Sequence, residues 1–111
     1  MRNTNGRGIV AGELEIADTA WRRFKGLLGR DGLPDGGGLL ITPCNSIHMF
    51  FMRFPIDVVW LDGQNAVLKT VDRLKPWRVS FCLSASKVVE LPPGRLESVK
   101  VAPGDVLEMV E

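Results

Sequence analysis

The 111-residue chain reads as a mostly β fold: a β-sandwich or barrel-like arrangement of seven to eight short strands with one short N-terminal α-helix. Three observations predict this. Short apolar runs recur at close spacing, separated by clusters of Gly, Pro, Asn and Asp. Only one stretch, from Thr19 to Gly29, carries its apolar residues at helical spacing. The length and an apolar content of 45% suit a single domain over residues 1–111, with one core that needs no disulfide or metal staple.

Residues 1–8, rich in Arg, Asn and Gly, read as a flexible tail. From Ile9 to Ala17, Leu14 and Ile16 alternate with Glu13 and Glu15, the pattern of a half-buried strand. Asp18 or Thr19 then offers an N-cap oxygen to a helix on which Trp21, Phe24, Leu27 and Leu28 share one face. Gly29 suits the residue just past its end. Arg30 to Gly38 is a loop, and its triplet Gly36-Gly37-Gly38 reads as a flexible connection. The triplet lacks the strand-before, helix-after setting of a phosphate-binding loop.

Leu39 to Thr42 is a short strand. Ile47 to Phe51 and Ile56 to Leu61 are apolar on both faces, which predicts central strands joined by the corner Arg53-Phe54-Pro55. Asp62-Gly63-Gln64-Asn65 is a hairpin turn, with Ala66 to Leu74 as the returning strand. Lys75 to Ser86 is irregular and places Trp77 on the surface. Lys87 to Leu91 is a strand ending at Pro92-Pro93-Gly94. Val99 to Ala102 and Val106 to Val110 form a last hairpin around Pro103-Gly104-Asp105.

A net charge of +1 gives no global field toward nucleic acid, and no stretch has the roughly 18 apolar residues of a membrane span. The chain is therefore expected to have no nucleic-acid partner and no membrane span; a small polar ligand is the partner that its acidic and basic residues suggest. No oligomeric state is assigned. The basic N-terminus has no apolar run of signal-peptide length behind it, which predicts a cytoplasmic chain, or a periplasmic one if an export leader has been trimmed. Cys44 and Cys82 lack disulfide-framework or zinc spacing and read as free thiols. No cofactor or metal is expected, because one histidine is too few for a histidine-rich site.

The run from Pro43 to Asp62 concentrates the reactive residue types among bulky apolar ones. Alternation puts Ile56, Val58 and Trp60 on one strand face and Asp57 on the other. A carboxylate there needs a partner or a proton. Two readings of Asp57 follow: it is paired structurally with Arg53 or with backbone amides, or the chain is a small binding or accessory module whose pocket for a small polar ligand is lined by Arg53, Asp57, His48 and Arg30. Glu90, the one charge in Val88-Val89-Glu90-Leu91, raises the same question. Cys44, His48 and Asp57 supply the residue types of a thiol-dependent hydrolase, though strand spacing separates the first two. A third reading is a protein-interaction module that uses the basic helix and the Trp77 loop.

Several of these segments resemble a known family. Ala17-Asp18-Thr19-Ala20, then Arg23 with Gly26-Leu27-Leu28-Gly29-Arg30, are similar to the helix signature of domain-of-unknown-function family 192, DUF192. The run from His48 to Val58, followed by Leu61-Asp62-Gly63, resembles its central motif. Val89-Glu90-Leu91-Pro92-Pro93-Gly94 and Gly104-Asp105 match its closing segments. The resemblance implies a compact β domain of sandwich type, found mostly in bacteria and archaea and often exported. It attaches no activity or ligand, so it assigns no catalytic residue.

Overall fold

The computed structural model of the chain describes residues 1–5 and 8–109. In chain order its elements are β1 (Arg2–Asn3), β2 (Gly8–Ile9), β3 (Glu13–Ala17), α1 (Ala20–Lys25), β4 (Gly37–Ile41), β5 (Ser46–His48) and β6 (Ile56–Leu61). These are followed by β7 (Val67–Leu74), β8 (Val79–Phe81), β9 (Lys87–Leu91), α2 (Arg95–Ser98) and β10 (Leu107–Glu108). The mostly β class holds. Strands form three separate sheets without closing into a barrel.

The central sheet has five strands in the order β3-β4-β9-β6-β7, parallel between β3 and β4 and antiparallel elsewhere. Its middle strands are apolar on both faces because both faces are covered. Ile56, Val58, Trp60 and Val88 join one core with Leu27, Ile47, Met49 and Met52, beneath α1 and the two-stranded β5–β8 sheet. Val59, Leu61, Val89 and Leu91 join another with Met1, Val10, Leu96 and Leu107, beneath α2 and the β10-β1-β2 sheet. The predicted alternation along β6 is therefore observed. The Trp60 indole donates to Ser80 Oγ at 3.1 Å, tying β6 to the small sheet.

Five expectations are corrected. The N-terminal segment is not a tail. Asn3 is fully buried and donates to Asp105 Oδ2 at 2.9 Å, a partner too distant in sequence to be foreseen. Gly6 and Arg7, within that same expectation, lie outside the described residues. Gly37 and Gly38 belong to β4 rather than to a flexible connection. A Cβ on Gly38 would meet Ala11 Cβ at 3.0 Å and Leu91 Cδ2 at 3.1 Å, so glycine permits close packing there.

Third, β5 is not central. Its partner is β8, a strand the irregular 75–86 sequence concealed, and His48 and Ser46 face outward. Fourth, Val99 to Ala102 forms no strand, and a second short helix, α2, precedes it. Of the other arm, β10 covers Leu107–Glu108, while Val110 lies outside the described residues. Finally, α1 is capped by Thr19, whose hydroxyl accepts from Arg22 N–H at 3.2 Å, but it ends at Gly26 rather than Gly29. Its apolar face is mostly uncovered, with Trp21 and Phe24 exposed and only Leu27, beyond its end, buried.

Candidate functional site

The four residues expected to share a pocket are placed apart in function. Asp57 lies opposite a bulge in β7, where one extra residue intervenes between the pairs Ile56↔Leu74 and Val58↔Val71. The bulge frees the amide of Arg73, a residue at φ 48°, and that amide donates to Asp57 Oδ1 at 2.8 Å. Leu96 N–H, in the first turn of α2, donates to Oδ2 at 2.8 Å. Both carboxylate oxygens are thus committed to backbone, one of the alternatives the sequence allows. Asp57 holds the β7 bulge and α2 in place.

Arg53 does not reach Asp57. Its side chain is exposed and donates to Asp31 at 2.9 Å. The guanidinium expected inside the strand layers is outside them. Nor is a thiol triad assembled. His48 Nδ1 accepts from Phe50 N–H at 3.3 Å, and Cys44 Sγ is directed to Ser46 O at 3.2 Å. Burial pushes the Cys44 thiol up, away from the thiolate that nucleophilic chemistry requires.

His48 and Arg30 instead lie at the margins of a different carboxyl. Glu90 sits in the middle of β9 on the α1 side, 6% exposed, between Leu39 of β4 and Val58 of β6. Among the described residues no donor is hydrogen-bonded to it. Loss of water pushes its carboxyl up to about 7, and the nearby Arg30 charge only partly opposes this. The Arg30 guanidinium is held by Glu15, at 2.6 and 3.2 Å to its two oxygens.

The Glu90 carboxyl lines a recess of about 70 Å³ whose other walls include Phe24, Leu27, Ile41, His48, Met49 and Met52. The methionines meet there because Met52 N–H closes a turn onto Met49 O at 3.2 Å. Phe51, at φ 64°, takes the left-handed position of that turn. Met49 and Met52 are buried below the turn while Phe50 and Phe51 stand outside it. On the other flank of α1 a cleft of about 470 Å³ is lined by Glu15, Trp21, Arg22, Arg30 and Leu39. Leu39 is Glu90's neighbour across the ladder, so the two openings adjoin beneath the helix.

The geometry therefore gathers a largely buried carboxyl with no hydrogen-bond donor among the described residues, two thioethers, a histidine and a phenylalanine around one small, mostly apolar space. Sequence reasoning placed the centre at Asp57 rather than Glu90. The signal for Glu90 was present, a lone charge in an apolar run, but nothing local says which of two buried acids finds backbone donors. Among the described residues, no group of three or more His, Cys, Asp or Glu is arranged to hold a metal ion. No helix among them is long and apolar enough to cross a membrane.

Comparison with known proteins places this geometry in context. The family model of DUF192, described as uncharacterized ACR, matches residues 1–109. A UPF0127 protein of Thermococcus gammatolerans is 36% identical over 115 residues, covering 96% of this chain and 72% of the relative. A UPF0127 protein of Pyrococcus abyssi is likewise 36% identical, covering 89% of this chain and 87% of its own length. Among solved structures, a protein of unknown function from Novosphingobium aromaticivorans aligns with a TM-score of 0.78 at 22% identity. That alignment covers 86% of this chain and 74% of the other, and it speaks for the fold alone.

Proposed function

This chain belongs to the DUF192 family, and on that footing we propose that it is a small binding module whose site is the recess at Glu90. The observation that carries this reading is that the carboxyl opens into the recess and meets no hydrogen-bond donor among the described residues. No fully buried side-chain nitrogen or oxygen among the described residues lacks a partner, so the Glu90 oxygens keep an opening to the recess, where a donor from a ligand would meet them. Asp57, on the opposite face of the same sheet, shows how this chain satisfies an acid kept for structure: two backbone amides. Glu90 has neither, and it opens into a space walled by side chains able to adapt to a guest.

The ligand that suits such a recess has an apolar body and a head that donates hydrogen bonds to a carboxyl, an ammonium or hydroxyl above all. The volume has room for about two water-sized groups, enough for the head, with the body resting between Phe24 and His48. A cationic head would return the carboxyl to its ionised form and form an ion pair in an apolar setting. A test uses n-butylammonium against n-butyrate as probes, read by the methyl NMR signals of Met49 and Met52. The amine should shift both signals in the wild type and neither in Glu90→Leu. Equal shifts from both probes, or none from either, would count against the reading.

A further inference from the structure

We propose a second functional surface, one that adjoins the Glu90 recess at Phe24 and His48 but rests on separate observations: the aromatic face formed by α1, the β5–β8 sheet and their flanking turns docks onto an anionic membrane leaflet. The face is contiguous. Trp21 stacks on Phe24 with ring centroids 6.0 Å apart, and Phe24 borders the same recess as His48. His48 stacks on Phe50 at 4.9 Å, and Trp77 lies 5.9 Å from Phe50 and 4.9 Å from Phe51. His48 is paired across the ladder with Val79 and Ser46 with Phe81, so the exposed side of the small sheet continues the same surface. Phe51, Trp77, Phe81 and Leu83 are all more than half exposed.

Backbone conformation indicates that this exposure is built in. Phe51 and Trp77 both hold positive φ, 64° and 71°, a region bulky side chains avoid. Strain of this kind persists where the surrounding structure enforces it, and it concentrates at functional surfaces. Here two left-handed residues present their rings to solvent and to each other. Backbone hydrogen bonds from Met52 and Trp77 N–H, both onto Met49 O, hold them there.

Charge selects the partner. The net charge of +1 conceals a segregated distribution. No acid occurs between Asp18 and Asp31, between Asp35 and Asp57, or between Asp72 and Glu90. Those three stretches supply every residue of the aromatic face, along with Arg22, Arg23, Lys25, Lys75 and Arg78, while Asp31 and Glu15 hold Arg53 and Arg30 in ion pairs. A basic surface bearing Trp, Phe and Leu matches the headgroup region of an anionic bilayer, where aromatic and aliphatic tips enter the acyl boundary and cations meet lipid phosphates. Single-stranded nucleic acid could stack on the same rings, and its retention is the opposing outcome of the test. The most exposed apolar side chains, Leu83 and Phe51, stand at turn tips, as insertion requires.

The test is sedimentation of the full chain with vesicles of mixed phosphatidylglycerol and phosphatidylcholine, with phosphatidylcholine vesicles and an oligothymidine as comparisons. The chain should sediment with the anionic vesicles, less so as salt rises. The double variant Phe51→Gly/Trp77→Gly should keep its fold, since glycine favours both backbone positions, yet partition at least about tenfold more weakly. Three results would overturn the proposal: no sedimentation with anionic vesicles, partition unchanged in the double variant, or retention of the oligothymidine with the vesicles left bare.

Discussion

Leu39 and Glu90 face each other across the β4–β9 ladder, a hydrocarbon opposite a carboxyl, both less than a tenth exposed. On its other side Glu90 is registered with Val58, which is fully buried. An acid so placed loses most of its water, keeps contact only through the recess, and gains no hydrogen-bond donor among the described residues. Its behaviour, more than that of Asp57, is where the chemistry of this site becomes measurable.

The first expectation concerns pH. Burial raises the folded-state value of Glu90 to about 7, above the ordinary carboxylate value of 4.5. Between those values the native state holds a proton that the unfolded chain has released. The resulting stabilisation is full below the lower value and is lost as pH rises through the upper, a swing on the order of 3 kcal/mol. Chemical denaturation should show wild type less stable at pH 8 than at pH 6. Glu90→Gln should remove most of that difference.

At alkaline pH, Glu90→Leu should stabilise the fold by about 1–3 kcal/mol, because an apolar side chain replaces a largely buried charge that no hydrogen-bond donor among the described residues meets. Loss of ligand binding in a more stable protein is the signature of a residue kept for function. A destabilised Glu90→Leu protein would make Glu90 a structural residue.

Asp57→Ala should do the opposite. It strands the Arg73 and Leu96 amides and should cost about 2–4 kcal/mol in denaturant unfolding. Asp57→Asn, which keeps one acceptor oxygen, should lose about half as much. Arg53→Ala, breaking only an exposed pair with Asp31, should stay within about 0.5 kcal/mol of wild type. A large loss at Arg53 would restore the buried pairing that the sequence made attractive.

Gly38→Ala tests the close packing of β4. Its new methyl would meet Ala11, Leu91 and Leu14 side chains at 3.0–3.2 Å, for a loss of about 1–3 kcal/mol by thermal or denaturant unfolding.

These contrasts show what was legible in the chain and what was not. The β6 alternation, the Asp62–Asn65 turn and the surface position of Trp77 follow from period and turn chemistry, which act locally. The placement of β1 depends on buried Asn3 meeting Asp105, and β8 depends on pairing with β5; neither contact leaves a local trace. The apolar face of α1 had the right period, but period reports amphipathicity and says nothing of whether a partner covers it. The choice between Asp57 and Glu90 as the working acid was equally hidden, since it rests on a bulge and a helix terminus brought from elsewhere in the chain.

The most direct measurement is NMR titration of the Glu90 side-chain carboxyl carbon, with and without saturating n-butylammonium. A midpoint near 7 in the free protein, falling when the amine is bound, is the predicted result. A midpoint in the ordinary carboxylate range, or one that the amine leaves unmoved, would contradict the assignment of Glu90 as the recognition group.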